Sequence, residues 1–262
     1  PVVANVSYGI GTEKEGATEI DQEVDDLIRK YPLFSVATSA GNSGPGISTV
    51  GTPAGARFAF STGAYLTKEN AKNLYGAKID KGVMFYFSSR GGELSKPDGV
   101  APGCAASTVP AWEFGNVMRG TSMASPQVAG CMALLADAAT KNKLRFNGGL
   151  LARALRNSGK KLPGYNLLDQ GSGLVNVPRG WASLKKLAAH PSTSLVAGYE
   201  VTGVVPGMED DIGPSSFFRT GSWFPSFPQD VDFRIRPVFM DKVSPEEKET
   251  FFETFDMSTD CK

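Results

Sequence analysis

The run Thr18-Glu19-Ile20-Asp21-Gln22-Glu23-Val24-Asp25-Asp26-Leu27-Ile28 stands between two short apolar stretches, Val2-Val3-Ala4-Asn5-Val6 and Leu33-Phe34-Ser35-Val36-Ala37-Thr38. The flanking stretches read as short buried strands. Thr18 followed three residues later by Asp21 resembles a capping box, and Ile20, Val24, Leu27 and Ile28 are spaced as one helical face. Strand, helix and strand with short connections imply parallel pairing, because parallel neighbours need a crossover between them. The expected fold class is therefore α/β, a doubly wound parallel sheet covered by helices.

Working outward, a Gly-rich loop, Ser39-Ala40-Gly41-Asn42-Ser43-Gly44-Pro45-Gly46, follows the second strand, with short β-like pieces near 58–62, 83–88 and 104–109. From Ser122 to Ala138 the chain is apolar on most sides, which predicts a helix buried in the core. Leu150 to Asn157 and Arg179 to Ala189 read as two further surface helices. Composition shifts near Pro191: residues 191–262 hold nine of the 16 Phe and seven of the 17 Pro, and Asp232-Phe233-Arg234-Ile235-Arg236 alternates as a half-exposed strand does. The expected organisation is a main unit over 1–190 and the beginning of a β-rich extension over 191–262. Ser244-Pro245-Glu246-Glu247 is a good helix start, yet Thr250 to Phe255 suits a strand equally well.

Lys+Arg and Asp+Glu both number 27, so no charge excess points to nucleic acid or an anionic membrane. No apolar run approaches the roughly 20 residues of a membrane span. The expectation is a soluble chain with neither nucleic acid nor membrane as partner. The chain begins at Pro1 inside an apolar stretch, and we expect the protein itself to start upstream, where targeting signals would also lie. Cys104, Cys131 and Cys261 fit neither a disulfide framework nor a zinc spacing, so no metal or cofactor is expected. Cysteine usage tilts the compartment, otherwise open, toward a reducing one, and Cys104 and Cys131 read as small buried hydrophobes.

The strongest chemical signal is Gly120-Thr121-Ser122-Met123-Ala124-Ser125-Pro126, where a loop enters the buried helix. A serine there sits among N–H groups without intrahelical partners, at the positive end of the helix dipole, a place able to stabilise an oxyanion. By position alone Ser122 or Thr121 is simply a helix N-cap. Small Gly120 and Ala124 leave room for a substrate backbone, and Pro126 inside the helix is costly unless the first turn is special. Asn42, at the carboxyl end of a parallel strand, can donate to an oxyanion without adding charge, or be an ordinary turn residue. Asn5-Val6-Ser7-Tyr8-Gly9 ends the first strand and, alone, is a strand running into a turn.

Together these segments resemble the subtilase family of serine peptidases, over roughly residues 1–189 and in the family's order. Further matches occur at Val50-Gly51-Thr52-Pro53, Phe87-Ser88-Ser89-Arg90-Gly91, Ala101-Pro102-Gly103 and Gly171-Ser172-Gly173-Leu174-Val175-Asn176-Val177. The resemblance implies a subtilisin-like fold, incomplete at its N-terminus, with Ser122 as nucleophile and Asn42 as oxyanion-hole amide acting with the Ser122 N–H. It implies that Ser7, Tyr8 and Gly9 line the specificity pocket opposite Ser39, Ala40 and Gly41, with Gly120 and Thr121 at the substrate, and that partners are peptides or polypeptides. Ser7-Tyr8-Gly9, Ser39 to Pro45 with Ser48-Thr49-Val50-Gly51, the extra segment around 68–81 and the β-rich extension resemble the tripeptidyl-peptidase II branch, which makes homo-oligomers an expectation and favours the cytoplasm.

The family also needs an Asp in an Asp-Thr-Gly-like segment and a His in a His-Gly-Thr-like segment, and neither segment is here. His190 follows Ser122 by far and reads as a helix C-terminal residue, not a base. Gln127 stands where the family often has His or Asn, and Arg119 reads as a solvated charge. The expectation is an enzyme whose Asp and His lie upstream, so that residues 1–262 alone are inactive. The alternative is a non-catalytic peptide-binding or structural module of the same fold. An α/β-hydrolase is excluded, since no Gly-x-Ser-x-Gly occurs.

Overall fold

The computed structural model describes residues 1–12, 14–108, 117–204 and 232–254. Strands β1 (Val2–Val6), β2 (Phe34–Ser39), β3 (Phe60–Leu66) and β5 (Gly99–Pro102) lie parallel in that spatial order, and the two-residue β4 (Val83–Met84) pairs antiparallel with the end of β3. Successive side chains of a strand point to opposite faces. Val3 of β1 and Ala37 of β2 pack with helix α3 (Thr121–Lys141), whereas Ala4, Val6 and Val36 pack with helix α1 (Glu19–Lys30). With helices on both faces of a mostly parallel sheet, the fold is the α/β architecture read from the sequence.

The capping of α1 holds, but its buried face differs from the expected one. Thr18 accepts the Asp21 N–H at 3.1 Å. Its hydroxyl and that of Thr52 then hold the Asp21 carboxylate at 2.8 and 3.1 Å, so a charged residue goes inward with its hydrogen bonds satisfied. Ile28 is fully buried and Val24 packs beside it, while Ile20 is 48 % and Leu27 37 % exposed.

Helix α3 buries Thr121, Ala124, Ser125, Val128, Met132, Leu135, Ala136 and Ala139, a stripe at helical spacing, and leaves Leu134 exposed. It is half-wrapped, not surrounded. Helix α4 (Gly148–Arg156) overturns the expectation of a surface helix: Leu150, Leu151, Ala152, Ala154 and Leu155 are all buried. Its opening Gly148-Gly149 explains how it gets in. A Cβ on Gly148 would stand 1.9 Å from the Phe34 carbonyl oxygen, and one on Gly149 would stand 1.8 Å from that of Ala197. Helices α5 (Leu167–Gln170) and α6 (Val177–Ala188) complete this side, and α6 is the surface helix expected over 179–189, with only Gly180 and Leu184 fully buried.

Three other expectations change in detail. Helix α2 (Lys68–Tyr75), capped by Thr67 and closed by left-handed Gly76, occupies the segment whose structure the sequence reading left unassigned. Of 83–88 only Val83–Met84 is strand, and of 104–109 only β6 (Cys104–Ala106), which pairs with β7 (Val117–Arg119); residue 109 lies outside the described residues. Cys104 is buried as expected but Cys131 is only half-buried, and burial pushes both thiols above the usual range, away from reactive thiolates. Cys261 lies outside the described residues.

Beyond residue 190, β8 (Val196–Val204) and β9 (Asp232–Phe239) form an antiparallel pair, followed by helix α7 (Pro245–Thr254). The Ser244 hydroxyl accepts the Glu247 N–H and Glu247 Oε2 accepts the Ser244 N–H, so the capping signal prevails over the strand-like Thr250 to Thr254; Phe255 lies outside the described residues. Ala197 and Met240 share a buried cluster with Ile28, Val36 and Phe58, and Asp241 pairs with Arg29 at 2.9 Å.

Candidate active site

The sheet's carboxyl end gathers the loop after β1, the loop after β2 and the start of α3. Parallel strands place these ends side by side, where open α/β sheets bind ligands. Gly120 enters α3 with φ of +156°, a conformation that favours glycine.

Pro126 has no N–H, so the helix cannot satisfy the Ser122 carbonyl four residues earlier. The Ser7 hydroxyl donates to that oxygen at 2.9 Å, and the Ser122 hydroxyl donates to the Ser7 carbonyl at 3.2 Å. Asn5 braces the pair: its Nδ2 donates to Ser7 Oγ at 2.9 Å, and its Oδ1 accepts from the buried Ser125 hydroxyl at 2.7 Å. The residue just past β1 thus supplies what Pro126 took from the helix. Ser7 thereby acquires a positioning task beside the substrate contact expected for it. Ser7→Ala in the complete protein is expected to lower kcat by about 2- to 10-fold, the worth of one ordinary hydrogen bond, with KM little changed and Ser7→Thr restoring most of the loss. A change confined to KM would make Ser7 a substrate contact only.

Thr121 orients Asn42. Asn42 Oδ1 accepts from the Thr121 N–H at 2.9 Å and from its hydroxyl at 3.0 Å, and Thr121 Oγ1 in turn accepts the Gly41 N–H at 3.2 Å. With the oxygen engaged by two donors, the amide turns its Nδ2 away as a free donor. A carbon built on Gly120 would stand 3.5 Å from Asn42 Nδ2 and 3.7 Å from both Asn42 Oδ1, which is already engaged by Thr121, and the Ser122 N. The empty space beside Gly120 is therefore flanked by two N–H donors, one a side-chain amide and one in the first helical turn.

The walls on either side differ. Tyr8 and Gly9 are exposed, Tyr8 by 65 %, and their main chain makes no hydrogen bond among the described residues. Ser39 and Ala40 are buried instead, and Ala40 spends its N–H on Thr62 O at 3.0 Å and its carbonyl on Gly51 N at 3.4 Å. Buried Glu15, which sequence reading missed, accepts N–H bonds from Val50, Gly92 and Leu94 and so fastens three loops behind this wall. Burial pushes its carboxyl above the usual carboxylate range, against those hydrogen bonds. Gln127 Nε2 donates to Pro102 O at 2.7 Å and to Met123 O at 3.1 Å, tying the first turns of α3 to β5. Arg119 is exposed, and His190 is exposed just beyond the end of α6.

Among the described residues no group of three or more His, Cys, Asp and Glu could hold a metal ion, and no helix is long and apolar enough to cross a membrane.

Residues 1–173 match the model of the Subtilase family. The chain is 30 % identical over 252 residues to tripeptidyl-peptidase 2 of Caenorhabditis elegans, covering 92 % of this chain and 18 % of that protein. It is 36 % identical over 211 residues to pyrolysin of Pyrococcus furiosus, covering 70 % and 14 %. The crystal structure of tripeptidyl peptidase 2 (TPP II) superposes with a TM-score of 0.58 at 25 % identity, over 77 % of this chain and 15 % of that one. The chain thus spans less than a fifth of the length of these relatives.

Proposed function

Because the chain belongs to the subtilase family, we propose that the complete protein hydrolyses peptide bonds with Ser122 as nucleophile and Asn42 as oxyanion-hole amide. The observation that carries this reading is the space at Gly120, flanked by Asn42 Nδ2 and the Ser122 N–H. A substrate carbonyl oxygen placed there would meet both donors as Ser122 Oγ forms its bond to the carbonyl carbon and charge moves onto the oxygen. A general base must accept the serine proton, and later return it to the leaving amine. The chain's one histidine, His190, follows α6, so the base and its Asp partner are assigned to sequence outside these 262 residues. Substrate backbone would pair along the open Tyr8-Gly9 edge, with Ser39-Ala40-Gly41 as the opposite wall and Gly120-Thr121 beneath the reacting carbonyl.

The similarity to tripeptidyl-peptidase 2 over 92 % of the chain supports a narrower reading, release of short peptides; a homo-oligomer, the cytoplasm and an extension domain that begins with residues 191–262 belong to the same proposal. A non-catalytic peptide-binding module is the competing class. It has no chemical use for an amide held with its donor free. A fluorophosphonate probe separates the two: in the complete protein it is expected to form one covalent adduct, mapped to Ser122 by peptide mass spectrometry. An adduct on another serine, or none in protein that binds peptides, would overturn the proposal.

A further inference from the structure

At the amino end of the sheet, opposite the end that bears Ser122, a pocket of about 300 Å³ opens between α4, β8 and the residues leading into β3. Its charged lining is one-sided. Arg57, Arg153 and Arg156 face it, and among the described residues no carboxylate does. Small Gly149, Ala152, Ala197 and Gly198 make the room, while Phe58, Tyr199 and Val201 give it an apolar wall.

The surrounding ion pairs do not balance these cations. Arg57 pairs with Glu200. Arg156 Nη2 pairs with Asp98 Oδ1 at 2.8 Å, but Asp98 Oδ2 already holds the buried Lys96 ammonium at 2.7 Å, so one carboxylate serves two cations. Arg153 pairs with no carboxylate among the described residues; its guanidinium sits 5.0 Å from the centroid of the Tyr199 ring and shares a side-chain hydrogen bond with that tyrosine, a neutral partner. Asp25, which adds the third carboxylate near Lys96 and Arg57, is itself pushed toward its neutral form by burial. Among the described residues four basic groups thus meet three carboxyl groups, and since burial pushes Lys96 as well as Asp25 toward the neutral form, the basic groups stay one in excess. Among the described residues, buried Arg153 Nη2 and Arg156 Nε find no hydrogen-bond partner, a costly state for a charged donor. Burial accordingly holds Arg153 below its ordinary pKa.

We propose that this pocket binds a small organic monocarboxylate, its anionic head between Arg153 and Arg156 and its body against Phe58, Tyr199 and Val201. Arg presents planar paired donors that match a carboxylate, one negative charge completes the balance, and the volume lies at the small end of ligand pockets. The site is separate from the proposed catalytic cleft and does not rest on that reading.

The test uses the full-length protein, treated first with fluorophosphonate, and saturation-transfer NMR with benzoate and butyrate at constant ionic strength. Saturable transfer to both is expected, with benzyl alcohol, the uncharged analogue of benzoate, at least about tenfold weaker. Arg153→Met removes the unbalanced charge at similar volume, so it is expected to fold and to weaken benzoate by a similar factor. If Arg153→Met does not fold, Arg153→Lys replaces it, keeping charge without the fork, and a severalfold loss is expected. No transfer in the wild type, equal binding of benzyl alcohol, or unchanged affinity in the folded variant would each overturn the assignment.

Discussion

Ser122→Ala in the complete protein is expected to reduce kcat for a peptide substrate by on the order of 10⁶-fold, with the fold and KM retained. The magnitude is taken over from subtilisin, where removing the serine alone costs nearly as much as removing the whole triad. The physical reason is that base, nucleophile and orienting acid act as one unit, so without the oxygen that attacks there is nothing for the base to activate. What survives is the contribution of the oxyanion donors and of substrate binding, a residual advantage over water of about 10³–10⁴-fold. The only other change is loss of the 3.2 Å bond from the Ser122 hydroxyl to the Ser7 carbonyl, at an exposed position where water can replace it. Steady-state kinetics with a fluorogenic peptide, alongside a thermal melt of both proteins, makes the measurement. A variant with intact turnover would remove Ser122 from the mechanism.

Asn42→Leu is expected to lower kcat by roughly 10²–10³-fold while KM stays near the parent value, a range again taken over from the corresponding asparagine in subtilisin. The donor matters only once negative charge has moved onto the carbonyl oxygen, so its loss falls on the transition state and spares the ground state. Leucine nearly matches asparagine in shape but cannot accept the two Thr121 donors that now meet Asn42 Oδ1 at 2.9 and 3.0 Å. Thr121 is fully buried, so its two donors left without that acceptor cost stability, which a thermal melt of the variant reads separately from kcat. A companion Thr121→Val, which removes one of the two orienting donors and leaves the amide, should give a smaller loss in the same direction. Weakened peptide binding at unchanged kcat in Asn42→Leu would refute the oxyanion role.

Much of this arrangement was legible in the sequence because its signals are local. The apolar runs at Val2 to Val6 and Phe34 to Ser39, with Thr18 between them, specify strand, capped helix and strand without reference to anything distant. The burial of α4 was not legible, since Leu150 to Arg156 alternates apolar and basic residues as a surface helix does. Its depth is set by Gly148-Gly149 meeting the Phe34 and Ala197 carbonyls, which are neighbours only in space. Asp21 misled for a similar reason: a charged residue on an amphipathic helix reads as solvent-facing unless Thr52, 31 residues away, is known to satisfy it. At the site itself, the motif around Ser122 announced a helix-start serine and Pro126 announced an unsatisfied carbonyl. That Ser7 fills the gap, and that Thr121 frees the Asn42 amide, are facts of tertiary geometry that no spacing encodes.

The hydrogen bond from Ser7 to the Ser122 carbonyl joins residues 115 positions apart. A peptidase hazards its own unfinished copies, since any active enzyme can digest chains still emerging from the ribosome. Here the first turn of α3 cannot reach its final form by itself, because Pro126 leaves it incomplete until β1 is laid against it. On the proposed assignment, the nucleophile's turn takes its final form once an earlier-made segment and a much later one have met. The missing N–H of one proline therefore ties the local shape of the nucleophile's turn to contact with a distant part of the chain.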